Sequence, residues 1–152
     1  MKINKLSELP AGIDVLLNAS ISEGFGMVKK LVDKYQTGEN DFSARGEALF
    51  GAFNSGQLVG IGGLNIDPYF KDESLGRVRH LYVLPSARNL GVGRAIVFNI
   101  EQQAKKYFSC LQLQSPNQQA SAFYKRLGYK EVDETPKVSH IKYLGSSDTV
   151  IV

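Results

Sequence analysis

The chain of 152 residues predicts one mixed α/β domain, and three observations carry that prediction. Short strand-like runs recur along its whole length. Stretches with apolar residues at helical spacing are set between them. No linker, internal repeat or low-complexity tract divides the chain, and its length suits a single core.

"KINKL" reads as a first strand. In "LPAGIDVLLNASIS", Ile13, Leu16, Leu17 and Ile21 recur at helical spacing, with Pro10 near the first turn. A second helix covers "GFGMVKKLVDKYQ", where Phe25, Val28, Leu31, Val32 and Tyr35 form one stripe. "TGENDFSARG" is a loop, and "ALFGAFNSGQLVGIGGLNI" is a hairpin turning at Asn54, Ser55 and Gly56. "DPYFKDESLG" is a second polar loop before the strand "RVRHLYV". From Gly93, the positions Ile96, Val97, Ile100, Ala104 and Tyr107 trace one helix face. "CLQLQ" is a short strand, and "NQQASAFYKRLG" a helix closed by Gly128. "YKEV" and "VSHIKYL" are the last two strands; the tail "GSSDTVIV" receives no assignment.

The formal charge of +3 is too mild for the dense basic face that nucleic acid demands, and suits an anionic small ligand equally well. Cys110 stands alone, so no disulfide forms within the chain and a reducing compartment is the simpler expectation. No apolar run approaches the roughly 20 residues of a membrane span. "MKINKLSELP" lacks a signal-peptide core. The expectation is a soluble cytoplasmic protein that engages neither nucleic acid nor membrane.

The stretch "LYVLPSARNLGVGRAI" joins a strand directly to a helix through two glycines. The first N–H groups of a helix have no internal partners, and with the helix dipole they make an anion site. Gly91 and Gly93 keep side chains away from that backbone, and Arg88 adds a planar cation for phosphate. The plainer alternative is a connecting turn. Arg94-Ala95 after Gly93 excludes a Walker loop, and Ile96 weakens a dinucleotide fingerprint.

"ARNLGVG" resembles the Arg/Gln-x-x-Gly-x-Gly/Ala signature of the GCN5-related N-acetyltransferase (GNAT) superfamily. "NQQASAFYKRLGYKEV" resembles its second signature, and the resemblance is strongest over residues 77–132. It implies a mostly antiparallel sheet flanked by about four helices, with two central strands splayed apart. Residues 1–152 are then one acetyltransferase domain, with acetyl-CoA as co-substrate and no metal.

The resemblance also assigns residues. Leu81, Tyr82 and Val83 offer backbone groups to the pantetheine arm, and an N–H at this bend could polarise the thioester carbonyl. Arg88, Asn89, Leu90 and Gly91, with Val92, Gly93 and Arg94, form the pyrophosphate turn. Asn117 either caps its helix, contacts the cofactor, or does both. Tyr124 is placed beside the leaving sulfur as the catalytic acid, while Phe123 supplies the core-facing ring. Proton transfer from a free tyrosine to a thiolate is uphill by roughly 2 kcal/mol. Tyr124 therefore needs a pKa lowered by Lys125 or Arg126, or acts by hydrogen-bonding the sulfur.

Relatives carry Glu or His as general base where this chain has Arg77 and Arg79. An arginine cannot take the proton. The two arginines either recognise an acidic acceptor or lie on a solvated strand face. Strand alternation puts His80 on the opposite face from both, in a structural role. Glu23 and His140 are the candidate bases; a water chain or an amine bound neutral would serve instead. The glycines of "VGIGGLN" mark a bulge or a close ligand approach, and Cys110 is either a catalytic thiol or, as a single thiol on a predicted strand more often is, a small buried hydrophobe.

The leading expectation is acetylation of a primary amine on a small molecule by direct transfer. The alternatives are an acyl-CoA-binding domain without transfer, and a peptide or protein acetyltransferase. Dimers are common among relatives, and the terminal "TVIV" either pairs along a sheet edge or frays.

Overall fold

The computed structural model describes residues 1–145; the "TVIV" segment lies outside the described residues. Seven strands form one sheet: β1 (Lys2–Leu6), β2 (Ala48–Asn54), β3 (Gln57–Ile66), β4 (Leu75–Val83), β5 (Cys110–Leu113), β6 (Lys130–Thr135) and β7 (Val138–Tyr143). Their order is β1-β2-β3-β4-β5-β7-β6. Every neighbouring pair is antiparallel except β4 with β5. The helices are α1 (Ile13–Ser22), α2 (Met27–Thr37), α3 (Val92–Ala104) and α4 (Gln118–Arg126). The mixed, mostly antiparallel sheet with four helices is the fold the sequence predicts.

Side-chain alternation divides the sheet between two cores. Leu49 and Ile61 pack with Leu16, Val28 and Leu31 from α1 and α2. Ala48, Phe50 and Ala52 pack with Ile96, Val97 and Ile100 from α3. α3 stops at Ala104, so Tyr107 lies beyond it, under the Arg45 guanidinium, rather than on the helix stripe.

The glycines of β3 make room for the protein's own side chains. A Cβ on Gly62 would lie 2.6 Å from Ile96 Cγ2, and one on Gly63 would lie 2.5 Å from Phe42 Cε1. Helix and loop press onto the strand where no side chain intervenes. The expected bulge is also present. Pairing passes from Gly63↔Arg79 to Ile61↔Tyr82, so His80 and Leu81 together oppose Gly62.

β4 and β5 pair only at Leu75↔Cys110, Gly76↔Leu111 and Arg77↔Gln112. β4 then continues to Val83 while β5 ends at Leu113, which opens a slot between the two strands. The splayed strands expected from the resemblance are therefore present.

Candidate active site

The slot widens into a cleft of about 1020 Å³. One wall is Leu81, Tyr82 and Val83 of β4; another is Pro116, Asn117 and Phe123; its floor is the turn from Arg88 to Arg94. Asn89 and Gly91 both have positive φ, 63° and 81°. The Gly91 conformation is one that few side chains tolerate, and it aims the chain straight into α3. No side chain caps that helix, so its first N–H groups face the cleft. Among the described residues, nothing beyond its own chain neighbours stands within 4 Å of a Cβ built on Gly91. The turn is bare on the side where an anion would approach.

Arg88 is held from both sides. Its Nε donates to Val83 O at 3.0 Å, and its two terminal nitrogens donate to the Glu23 carboxylate at 2.8 and 2.6 Å. The Tyr82 hydroxyl donates to the same carboxylate at 2.6 Å. Arg88 first, then Tyr82, holds the Glu23 pKa below the usual carboxylate range. Burial and then Glu23 push the Tyr82 pKa up to about 12. Arg94 is exposed at the cleft and has no partner among the described residues. Leu90 projects from the tip of the turn, 67% exposed.

Asn117 is the N-cap of α4, its Oδ1 accepting from Ala120 N at 2.9 Å. It also lines the cleft, so the position fits both expected roles. The division of labour between Phe123 and Tyr124 is the reverse of that expected. Phe123 lines the cleft, whereas Tyr124 is 6% exposed and packs edge-on against Phe123 and Tyr129. One helix face is shared between core and cleft, and the more buried position faces the core.

Burial raises the Tyr124 pKa, contrary to the lowering required for easy proton release. Lys125 is paired with Glu131 at 2.9 Å and Arg126 faces the cleft, so neither lowers it. The Tyr124 hydroxyl has no hydrogen-bond partner among the described residues, and it is not among their fully sealed polar atoms.

His140, on β7, is 1% exposed and bracketed by two hydroxyls, Ser121 Oγ at Nε2 (2.9 Å) and Ser139 Oγ at Nδ1 (2.8 Å). Burial keeps its pKa below the usual histidine value. Its ring lies 6.3 Å from that of Tyr124, behind the cleft. Glu23 and His140 are thus apart: one sits at the mouth with Arg88, the other beneath α4.

Arg77 is neither an acceptor-binding group nor on a solvated face. It is 3% exposed, donates to Asp67 Oδ2 at 3.0 Å and Lys137 O at 2.7 Å, and lies over the Tyr69 ring. His80 does not oppose Arg79 across the sheet. Its φ of 60° in the bulge breaks the alternation and carries the ring to the α2 side, where Nδ1 meets Met27 O at 3.0 Å. That carbonyl needs a donor, so Nδ1 carries the proton and Nε2 is left buried without a partner among the described residues. Burial, then Arg79, pushes the His80 pKa down to about 3.

Arg79 lines a second, polar cavity of about 540 Å³ between β3, β4 and the loop after α2. The walls formed by Phe25 and Met27 were also missed from sequence, since apolar residues at a helix start read as core. Among the described residues no cluster of three or more His, Cys, Asp or Glu side chains could hold a metal, and no helix is long and apolar enough to cross a membrane.

Comparison with known proteins agrees with this geometry. The family model for the acetyltransferase (GNAT) family matches residues 19–129. A protein provisionally assigned as an acetyltransferase from Exiguobacterium sp. 255-15 is 30% identical, with a TM-score of 0.84 over 93% of this chain and 92% of that one. Two others share the fold alone. A ribosomal-protein-alanine N-acetyltransferase from Brucella melitensis is 18% identical, TM-score 0.71, over 95% and 100% of the two chains. Rv2747 from Mycobacterium tuberculosis, in complex with CoA and NLQ, is 20% identical, TM-score 0.65, over 90% and 75%. No curated protein matches the chain. With both signature motifs on one cleft and the family model spanning most of the sequence, the chain belongs to the GNAT acetyltransferase family, whose members transfer an acyl group from acyl-CoA.

Proposed function

We propose that residues 1–152 form one N-acetyltransferase domain that moves an acetyl group from acetyl-CoA directly to the amine of a small acceptor. One observation carries the reading: the uncapped start of α3, bared by its turn, opens into the same cleft as the splayed half of β4. Such a cleft fits a long ligand with a pyrophosphate at one end. The N–H groups at the turn, Arg88 and Arg94 would hold the pyrophosphate. The backbone of residues 81–83 would pair with the pantetheine arm.

When bound, acetyl-CoA supplies the acetyl group as a thioester, whose sulfur leaves as a thiolate. Tyr124 packs on the core side of the cleft wall, and its hydroxyl, without a partner among the described residues, would have to reach past Phe123 to hydrogen-bond that sulfur; its raised pKa keeps the proton on the hydroxyl. The same shift makes hydrogen-bond donation easier than full transfer. The bulge at His80–Leu81 supplies the candidate amide for the thioester carbonyl. For the amine proton, Glu23 becomes a stronger base once Arg88 turns to phosphate, because Arg88 is the largest cause of its lowered pKa. His140 is the second candidate, reached through Ser121. A lone, buried Cys110, its thiol pKa pushed up to about 11 by burial, suits a reducing, cytoplasmic setting.

The test is thiol release from acetyl-CoA by purified protein with pooled small amines, amino acids and short peptides. Release with a small-molecule pool supports the reading, and release with peptides alone favours protein acetylation. A specific observation favours a binding-only domain: neither candidate base is both unpaired and in the cleft. Tight acetyl-CoA binding without release in any pool would support that instead.

A further inference from the structure

Of the three arginines on β4 and the turn after it, Arg77, Arg79 and Arg88, only one has nothing to bind among the described residues. Arg77 is satisfied by Asp67 and Lys137 O, and Arg88 by Glu23 and Val83 O. Arg79 has no hydrogen-bond or ion-pair partner among the described residues, although it is partly buried. Its pKa is lowered chiefly by burial, which Tyr69, Asp67 and Glu47 offset only in part. A desolvated guanidinium with free donors is costly unless something fills its fork.

The cavity around Arg79 is polar, and its other charges are already engaged. Lys34 faces Glu39 at 3.4 Å. The Glu47 carboxylate accepts the backbone N–H groups of Ala44 and Ile66, and Asp41 accepts from Ser43. The amides of Asn40 and Asn65 bond each other. Among the described residues, a ligand there meets one unpaired cation, Arg79, with carboxylates around it that tolerate a nearby ammonium.

Position along β4 sets this cavity beside the cleft, although the two share no lining residue. Arg79 precedes the bulge immediately, and Leu81, within the bulge, lines the cleft. Two strand residues span roughly 7 Å. A small molecule anchored on Arg79 can thus present a group at the bulge.

We propose that the acceptor is an amine that also carries a carboxylate, held by Arg79 through a bidentate pair. The inference rests on the acetyl-transfer reading above and names the acceptor class for it. An amino acid has both required groups: its carboxylate takes the guanidinium, and its amine reaches the bulge.

The experiment compares glycine, L-alanine and L-glutamate with their primary carboxamides, using wild type, Arg79→Gln and Arg79→Lys. Calorimetric titration of acetyl-CoA, and of N-acetyl-L-alanine in the presence of CoA, runs beside the rate assay. The expected result is at least tenfold higher kcat/KM for the acids than for their amides. Arg79→Gln collapses that preference through KM and weakens N-acetyl-L-alanine binding at least tenfold; Arg79→Lys recovers part of both. Melting curves confirm that the variants fold. Equal use of acids and amides, or equal loss of both in Arg79→Gln, overturns the proposal while leaving acetyl transfer standing. So does thiol release with carboxylate-free amines alone, or undetectable binding of N-acetyl-L-alanine beside normal acetyl-CoA binding. Failure of acetyl-CoA itself to bind overturns the parent reading and this one with it.

Discussion

The two ends of the splayed half of β4 hold the same residue type in opposite states. At the turn end, Arg88 is gripped by a carboxylate and a carbonyl, and the carboxylate is gripped in turn by Tyr82. At the bulge end, Arg79 lies in a cavity with its donors unspent. A charged group already paired stabilises an arrangement; an unpaired one is the residue through which a ligand can gain. The turn end is read by its backbone shape, and the bulge end by one side chain.

The sharpest way to break this contrast is at Arg77, next but one to Arg79. If Arg77 carries the structural ion pair, Arg77→Met strands the buried Asp67 carboxylate and costs about 3–5 kcal/mol. Arg79→Gln should then cost under about 0.5 kcal/mol, because no hydrogen bond or ion pair among the described residues is lost. Urea unfolding of both variants decides it, and similar losses would mean that Arg79 is structural too.

A second effect, smaller and dependent on pH, sits in the bulge. His80 folds as a neutral ring with its pKa pushed down to about 3, whereas an unfolded histidine takes a proton near pH 6.5. The unfolded state then binds more protons between those values, so stability falls as pH drops from about 6.5 toward 3. Melting temperatures at pH 7 and pH 4.5 should show a fall of several degrees in wild type that shrinks in His80→Leu. An equal fall in both would remove His80 from the account.

The smallest effect tests the grip on Arg88. Glu23→Gln removes the competing charge and one of the two acceptor oxygens that hold Arg88, so acetyl-CoA should bind about threefold tighter. Because the Glu23 pKa is lowered, the ion pair persists above the ordinary carboxylate pKa of about 4.3 and is lost only as pH falls through the lower folded value. The gain should therefore be flat from pH 5 to pH 9 by calorimetry. Weaker binding would show that Glu23 orients Arg88 for phosphate.

Much of the turn end was legible in the letters, since glycine spacing, a strand before and a helix after are local facts. The element order followed from the same local patterns, whereas the slot came only as what the resemblance to the GNAT signatures implies. The bulge end was not legible. One residue with φ of 60° shifts the alternation that placed His80, and nothing in "RVRHLYV" announces it. The pairing of Glu23 with Arg88 joins positions 65 apart in the chain. Helical spacing puts Ala120, Phe123, Tyr124 and Leu127 on one face, but it cannot divide that face between core and cleft. Hence Phe123 and Tyr124 exchanged their expected places.

The central claim is that this cleft transfers an acetyl group with help from the Tyr124 hydroxyl. Its most direct measurement is thiol release at saturating acetyl-CoA and acceptor, wild type against Tyr124→Phe, with affinity and melting temperature taken on the same samples. The hydroxyl has no protein partner to lose, so the variant should melt with wild type and bind acetyl-CoA within twofold. Turnover should fall about 100-fold, the lower end of what a positioned acid contributes. Equal turnover in the two proteins, or a loss traced wholly to affinity or folding, would contradict the account.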